Sequence, residues 1–382
     1  MFRIWTIVIS GCLFAGCFTS NKLSNQVIQP YDHELYINYA IYNEFDASKM
    51  QLVFPQGDFT LKLNAYETPA EGEPLFSIEQ EVKSKTEKEI EVFINVSEPE
   101  FYVDLEVLDI DSDRRYRNIE KVSKTINSSQ QIRFEDVNGN LMLYNDVKKG
   151  EAVTVSHAAA EVKHLFVHYF PDTLSAARPP YSKFNYVFDP ASGSSKSFTL
   201  LNGQAFIPEK EGLFFVRADT TAQGGKFLNC FQSDFPKLAT APRLIEAIRY
   251  ITKNEEYQGL TTADDQKLAL DEFWLERSGS KDRARTLIRT YYNRIRNANI
   301  FFTTCKEGWK TDQGMIYIIF GKPQKVNKSE DWEFWWYENN IDRPETGFFF
   351  DRLNDQMTLR RSADLELPWN VEIFDWRQGV IR

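Results

Sequence analysis

The sequence predicts a multi-domain chain in which two β-sandwich-like domains precede an α+β domain, with helices first and then a short antiparallel sheet. Short runs of alternating apolar and polar residues recur over about residues 33–235, with turn residues between them. Near Pro236 the apolar spacing becomes helical, and after Phe301 short apolar and aromatic runs return. The chain of 382 residues is long enough for two or three domains.

The first residues have the layout of a secretory signal. Arg3 precedes an apolar run from Ile4 to Phe14, and two small residues separate that run from Cys17. The run is too short to span a membrane, which takes roughly 20 apolar residues. We therefore predict a signal peptide over residues 1–16.

The small pair followed by a cysteine resembles the lipobox of bacterial lipoproteins. The resemblance implies that cleavage makes Cys17 the new N-terminus and that its thiol carries a diacylglyceryl group, with palmitate as the typical acyl chain. Several acyl chains on one cysteine hold a protein firmly on a membrane. Cys12 also follows a small residue, but too few apolar residues precede it for a signal peptide. Residues 17–32 are polar and are predicted to form a tether.

The β-rich part is predicted to contain a first sandwich over residues 33–125 and a second β-rich domain over residues 126–235. Asn138-Gly139 is a good hairpin turn in the second of these. The strands are expected at residues 35–41, 51–54, 59–65, 89–94, 101–107, 132–134, 141–144, 162–170, 184–188 and 213–216.

Residues 236–382 are predicted to form the α+β domain. Leu244, Ile245, Ile248 and Ile251 keep helical spacing. The next two helices are expected from Thr262 to Gly279 and from Ser280 to about Asn299, and the strands at residues 315–320, 332–337 and 347–350.

The net charge and the cysteines limit the partners and the chemistry. A formal net charge of −10 argues against nucleic acid, which binds proteins through Lys and Arg. Besides Cys17, the mature chain contains Cys230 and Cys305. They could form a disulfide in an oxidising periplasm, or they could be two buried free thiols.

No complete catalytic or metal-binding motif is recognised. Residues 109–113 imitate the start of a calcium loop, but Arg114 replaces the glycine that such a loop needs, so an acidic hairpin turn is favoured. His164 and His168 share a strand face but lack a third ligand. We predict no metal and no cofactor.

The most specific motif is the pentapeptide Gly308-Trp309-Lys310-Thr311-Asp312. It is followed by Gly314, an apolar run from Met315 to Phe320, and Gly321-Lys322-Pro323. This segment resembles the GWxTD-domain family, which is met in cell-envelope proteins of Gram-negative bacteria. The resemblance covers about residues 240–382. It implies an envelope location, and it supplies no mechanism, because the family has no established catalytic activity to carry over.

The residue types of the pentapeptide are typical of a structural turn. Gly308 is expected to adopt a backbone angle that other residues resist, Trp309 to fill a pocket, and Thr311 or Asp312 to bind backbone amides. The alternative makes Asp312 a general acid or base. No His, Cys or second acid is close to it in the sequence, so the structural interpretation is favoured.

The strand from Trp332 to Tyr337 is rich in aromatic residues, which alternate between its two faces. One face is expected to fill the core. The other, for which we name Trp335 and Tyr337, is a candidate surface for a protein partner or a glycan. A strand buried on both faces is the alternative.

These observations predict a non-enzymatic outer-membrane lipoprotein that faces the periplasm and acts as an interaction or assembly module with other envelope proteins. Helices followed by a Gly-Lys-Pro strand end and Trp-rich strands are similar to the small BamE-type lipoproteins, which serve outer-membrane protein assembly. The alternative is a carbohydrate- or peptidoglycan-binding lipoprotein that uses an aromatic strand surface.

Overall fold

The computed structural model describes residues 27–44, 47–69, 72–171, 174–190, 193–220, 224–338, 345–354 and 356–381. The predicted signal peptide, Cys17 and most of the tether lie outside these residues. The chain divides into two compact units, Met1–Thr125 with Val326–Glu330 and Ile126–Lys325 with Asp331–Arg382. The predicted boundary at residue 125 lies at this division, and the predicted boundary at residue 235 lies inside the second unit.

The first unit is a sandwich of two antiparallel sheets, with strand orders β2-β3-β6 and β5-β4-β7-β8. Its strands are β1 Val27–Ile28, β2 Asn38–Glu44, β3 Ala47–Phe54, β4 Gly57–Tyr66, β5 Phe76–Ser84, β6 Lys88–Ile94, β7 Glu100–Asp109 and β8 Arg114–Ser123. Alternate residues of both sheets, among them Leu52, Leu61 and Leu105, form one buried core. The predicted sandwich-like arrangement is confirmed.

The calcium-like segment is the turn between β7 and β8. The carboxylate of Asp109 accepts hydrogen bonds from the backbone N–H of Asp111 at 3.1 Å and from the hydroxyl of Ser112 at 2.7 Å. Asp113 has a φ of 51°, which a tight turn requires. Across the described residues, no group of three His, Cys, Asp or Glu side chains could hold a metal ion.

The β-rich part of the second unit also contains two sheets, β14-β11-β9 and β10-β16-β15-β12-β13. Only the β10–β16 pair is parallel among the strand pairs that these residues define. The strands are β9 Ile132–Glu135, β10 Asp146–Lys148, β11 Val153–His157, β12 His164–Phe170, β13 Lys196–Leu201, β14 Gln204–Phe206, β15 Gly212–Arg217 and β16 Lys226–Phe231. Buried residues of both sheets, such as Phe134 and Val167, share one core.

The predicted strand at residues 184–188 is wrong, because this segment has no strand neighbour. Phe188 instead pairs with a side chain. Its N–H donates to Oε1 of Gln356 at 3.1 Å, and its carbonyl accepts from Nε2 of the same residue at 2.7 Å. The amide group of Gln356 thus replaces a neighbouring strand, while Phe184 and Tyr186 remain exposed.

Helices and a small sheet complete the second unit. The helices are α1 Ala241–Ala247, α2 Asn254–Thr262, α3 Gln266–Ser278, α4 Lys281–Phe302, α5 Asp312–Phe320 and α6 Glu366–Arg377, and the strands are β18 Trp332–Tyr337, β19 Thr346–Leu353 and β20 Gln356–Leu359. The strand β17 Lys325–Lys328 belongs to the first unit from Val326 onward. Gly279 ends α3 with a φ of 69°, and the hydroxyl of Ser280 caps α4. No helix in the described ranges is long and apolar enough to cross a membrane.

The segment predicted as a strand at residues 315–320 is the helix α5. Its residues from Gln313 to Phe320 are all buried, so the apolar run has no polar face that would reveal a helical period. The hydroxyl of Thr311 accepts a hydrogen bond from the N–H of Gly314 at 3.0 Å and caps the helix. The cap and the burial on all sides explain why a helix forms here.

The C-terminal helix α6 was not predicted. Pro368 lies in its first turn, where a missing N–H does no harm. Trp369 and Trp376 are buried, so part of the aromatic density near the C-terminus belongs to the core. Arg377 binds the carboxylate of Glu256 in α2 and lowers the pKa of that carboxyl to about 2, with Arg277 adding to the effect.

Candidate functional site

The pentapeptide lies between α4 and α5, where Gly308–Lys310 form one turn of 3₁₀-helix. A Cβ atom on Gly308 would lie 1.9 Å from the carbonyl oxygen of Ala298, and one on Gly314 would lie 1.8 Å from the carbonyl oxygen of Gly308. The φ angle of Gly308 is not in the left-handed region, so the expected unusual backbone angle is wrong. Close packing of backbone against backbone is the reason for glycine here.

Trp309 is fully buried, with 0% of its surface exposed. Its indole N–H donates to the carboxylate of Glu307 at 3.0 Å, and its backbone N–H donates to the side chain of Asn299 at 3.0 Å. The ring of Tyr250 packs edge-on against it at 6.2 Å. The tryptophan therefore binds α4 through its backbone N–H and binds Glu307, within the same turn, through its side chain.

Lys310 takes part in a buried ion network. Its ammonium lies 3.2 Å from the carboxylate of Glu307, which also binds Arg243. The side chains of Lys310 and Glu307 are only 7% and 3% exposed. The carbonyl of Lys310 accepts a hydrogen bond from the N–H of Ala177 at 2.9 Å, so the motif also binds the loop that follows β12.

Thr311 and Asp312 make different contacts. The hydroxyl of Thr311 caps α5 and donates to the carbonyl of Gly308 at 2.7 Å. Asp312 accepts the backbone N–H of Leu359 in β20 at 2.9 Å and two bonds from the guanidinium of Arg361, at 2.5 and 3.1 Å. The two side chains of this ion pair are 10% and 6% exposed. The carboxylate of Asp312 is thus occupied by protein groups.

A cavity of about 320 Å³ lies beside the motif. It is bounded by residues 174–178, the end of α4, the start of α5 and β20, and Thr311, Asp312 and Arg361 are among its lining residues. Lys306 also lines it and donates to the carbonyl of Ser175 at 3.1 Å. Burial lowers the pKa of Lys306.

The aromatic strand β18 alternates as predicted, but the candidate binding residues lie on the wrong face. Trp335 is 0% and Tyr337 6% exposed, because both pack into the core, against Phe302 and Phe320 respectively. The opposite side, which we term the outer face, is half-buried. Its aromatic members are Trp332, Phe334, Trp336 and Phe349.

The outer face is a continuous aromatic surface with a charged edge. The rings of Trp332 and Phe349 are 5.2 Å apart, and the ring of Phe334 is 6.0 Å from that of Phe349. Gly347 leaves room for the Phe334 ring, since a Cβ there would lie 2.5 Å from it. The guanidinium of Arg360 lies 3.8 Å from the Phe349 ring centre and forms two 2.6 Å hydrogen bonds with Asp351.

The two body cysteines do not form the disulfide that the sequence left open. Cys230 and Cys305 are both free and buried, and they belong to different apolar clusters. Burial raises the pKa of the Cys230 thiol to about 11 and also raises that of Cys305. Such thiols stay protonated near neutral pH and are poor nucleophiles.

The histidines of β11 and β12 differ in their surroundings: two of them contact protein groups and one is exposed. Nε2 of His168 accepts a hydrogen bond from Nε of Arg217 at 3.2 Å, which leaves that nitrogen unable to bind a metal. His157 is buried, and its ring contacts the carbonyl of Ile126 at 2.9 Å. His164 is exposed at the start of β12.

Sequence reasoning missed Lys306, Glu307 and Arg361. Glu307 and Lys306 directly precede the pentapeptide, and two charges beside a buried tryptophan are a signal that could have been used. Arg361 is 49 residues from its partner Asp312, and a single sequence carries no sign of that pairing.

We expect Asp312 and Arg361 to contribute to stability as a pair. In Asp312→Asn the amide oxygen still accepts the Leu359 N–H, but the charge of Arg361 loses its partner, so the free energy of unfolding should fall by about 3 kcal/mol. Arg361→Met should cost a similar amount. The double variant has no unpaired charge, and its loss should be about 1–3 kcal/mol smaller than the sum. Urea unfolding followed by tryptophan fluorescence measures this, and additive losses would contradict it.

Comparison with known proteins locates the family resemblance. No curated protein matches the chain. The match to the family model begins at Gly212, so it includes β15 and β16 as well as the helices and the small sheet. Residues 212–378 match the GWxTD domain, and the resemblance to the GWxTD-domain family is confirmed over this segment.

Proposed function

We propose that this chain is a non-enzymatic lipoprotein of the outer membrane, anchored through Cys17 and facing the periplasm, where it acts as an interaction or assembly module. One observation carries the non-enzymatic part. Each residue of the pentapeptide is used in an internal contact. In sequence order, these are a close backbone contact of Gly308, the buried ring of Trp309, the buried ion pair of Lys310, the helix cap of Thr311 and the ion pair of Asp312.

An acid–base role for Asp312 would need its carboxylate to reach a substrate proton. Its oxygens already accept the Leu359 N–H and the Arg361 guanidinium. These bonds support a structural role for the motif. Because the motif is used in internal contacts, we expect the interaction surface elsewhere on the domain.

The outer face is the surface that we propose for a protein partner. Aromatic side chains and arginine are enriched where proteins bind one another, and clustered rings provide much of the binding energy. Trp332, Phe334, Trp336 and Phe349 lie together here, beside Arg360. The partner is expected to be another envelope protein, since the anchor holds the chain at that membrane.

The anchor predicts a residue-specific modification. When the full chain is expressed in a Gram-negative host with an alkyne-bearing palmitate, label should enter the wild-type protein and be lost in Cys17→Ser. Cys12→Ser is the matched control and should keep the label, because Cys12 is removed with the signal peptide. Label retained in Cys17→Ser, or lost only in Cys12→Ser, would contradict the assignment.

The outer face predicts where a partner crosslinks. A photoreactive phenylalanine analogue in place of Trp336 should give a discrete protein adduct in intact cells. The same analogue at Phe374, a 60% exposed residue of α6, is the control and should give none. A lone monomer after mild detergent extraction, with no adduct from position 336, would count against an interaction module.

A glycan is the second candidate for the outer face. Flat rings beside the hydrogen-bonding pair Arg360–Asp351 could stack on a sugar and bind its hydroxyls. Retention on isolated peptidoglycan that Trp336→Ala abolishes and Phe374→Ala preserves would favour this candidate. No retention would exclude it.

A further inference from the structure

The cavity beside the motif has a positively charged lining. Arg178, Lys306 and Arg361 line it, whereas Asp312 is the carboxylate in that lining and is already paired with Arg361. The cations therefore outnumber the acids among the described lining residues.

Lys306 has unused hydrogen-bonding capacity. Its ammonium carries three donors, and the bond that it makes to described residues is the one to the Ser175 carbonyl. Burial lowers its pKa, whereas Cys305 and Asp312 oppose that shift and the positive charges of Lys310 and Arg361 add to it. An anion in the cavity would stabilise the charged form of this ammonium.

Arg361 also has a donor to spare. Its two terminal nitrogens bind Asp312, and they contact Asn185 and the Arg178 carbonyl as well. Its Nε–H is buried without a hydrogen-bond partner in the described chain, although the side chain is only 6% exposed. A buried donor without an acceptor is costly, so an acceptor that comes within reach of this N–H would stabilise the folded chain.

The rest of the lining is suited to an apolar group. Leu174, Phe302 and Met357 line the cavity, and the exposed rings of Phe184 and Tyr186 also belong to its lining. A volume of about 320 Å³ matches the lower end of small-molecule sites, which begin at about 300 Å³.

We propose that this cavity binds a small organic anion, with its carboxylate or phosphate group at Lys306 and Arg361 and its apolar part against Phe302 and Met357. The site shares no residue with the outer face. The proposal therefore stands independently of the proposed function.

Titration calorimetry on the mature chain tests this with benzoate and phenyl phosphate as probes and benzyl alcohol as their neutral counterpart. Benzoate tests for a carboxylate ligand and phenyl phosphate tests for a phosphate ligand. The probe with the higher affinity identifies the head group. We expect saturable binding of at least one anion and none of the alcohol.

Lys306→Met should weaken the anion by at least about tenfold, since a charged hydrogen bond is lost. Lys306→Arg keeps the charge and should bind within about threefold of wild type by the same reasoning. Lys237→Met, at an exposed lysine outside the cavity lining, is the matched control and should bind as wild type does. Thermal melts show that each variant is folded.

The proposal is overturned by any of three results. These are no binding of either anion at millimolar concentration, equal binding of benzyl alcohol, or unchanged anion affinity in a folded Lys306→Met. A loss in Lys306→Met that Lys306→Arg restores would confirm that charge at this position holds the ligand.

Discussion

The backbone of Gly308 lies against the backbone of α4 at Ala298, with no space for a side chain between them. This close contact fixes the position of the 3₁₀ turn. The turn then fixes the positions of the other motif residues. Trp309 enters the core beside α4, Thr311 begins α5, and Asp312 meets β20 and Arg361. A short motif thereby joins α4 and α5, which flank it in the sequence, to β20 and to Arg361, which is 49 residues from Asp312.

The motif joins these parts largely through buried polar contacts, and burying such groups costs free energy. Buried ion pairs such as Asp312–Arg361 add little net stability over apolar packing, but removing one partner is strongly destabilising. These ion pairs favour one packing of the apolar residues over the alternatives. Glu307 must meet Arg243 and Lys310, and Asp312 must meet Arg361, so alternative packings of the same apolar residues leave charges unpaired.

The elements with a clear local signal could be predicted from the sequence. Ser280 and Gly279 marked the boundary between α3 and α4, and alternation marked most strands of the first sandwich. The run from Met315 to Phe320 could not be assigned correctly, because full burial removes the period that separates helix from strand. The segment at 184–188 failed for another reason, since its hydrogen-bonding partner is the side chain of Gln356.

The candidate site was predicted in part. The pentapeptide was recognised, and its structural character was derived from residue types. The alternation of β18 was also correct, but a single strand does not say which of its faces meets the core, so Trp335 and Tyr337 were placed on the wrong side. Lys306 and Arg361 could be identified only from the structure, in which they line one cavity together with residues of α5 and β20.

The closeness of Gly308 to α4 can be tested most directly by adding one methyl group. Gly308→Ala should lower the free energy of unfolding by about 2–3 kcal/mol, because backbone must move to admit the Cβ. Gly259→Ala in α2 is the matched control, since a Cβ there meets no atom within 4 Å. It should be neutral or stabilising by up to about 1 kcal/mol. Denaturant unfolding that finds Gly308→Ala as stable as wild type would contradict the account.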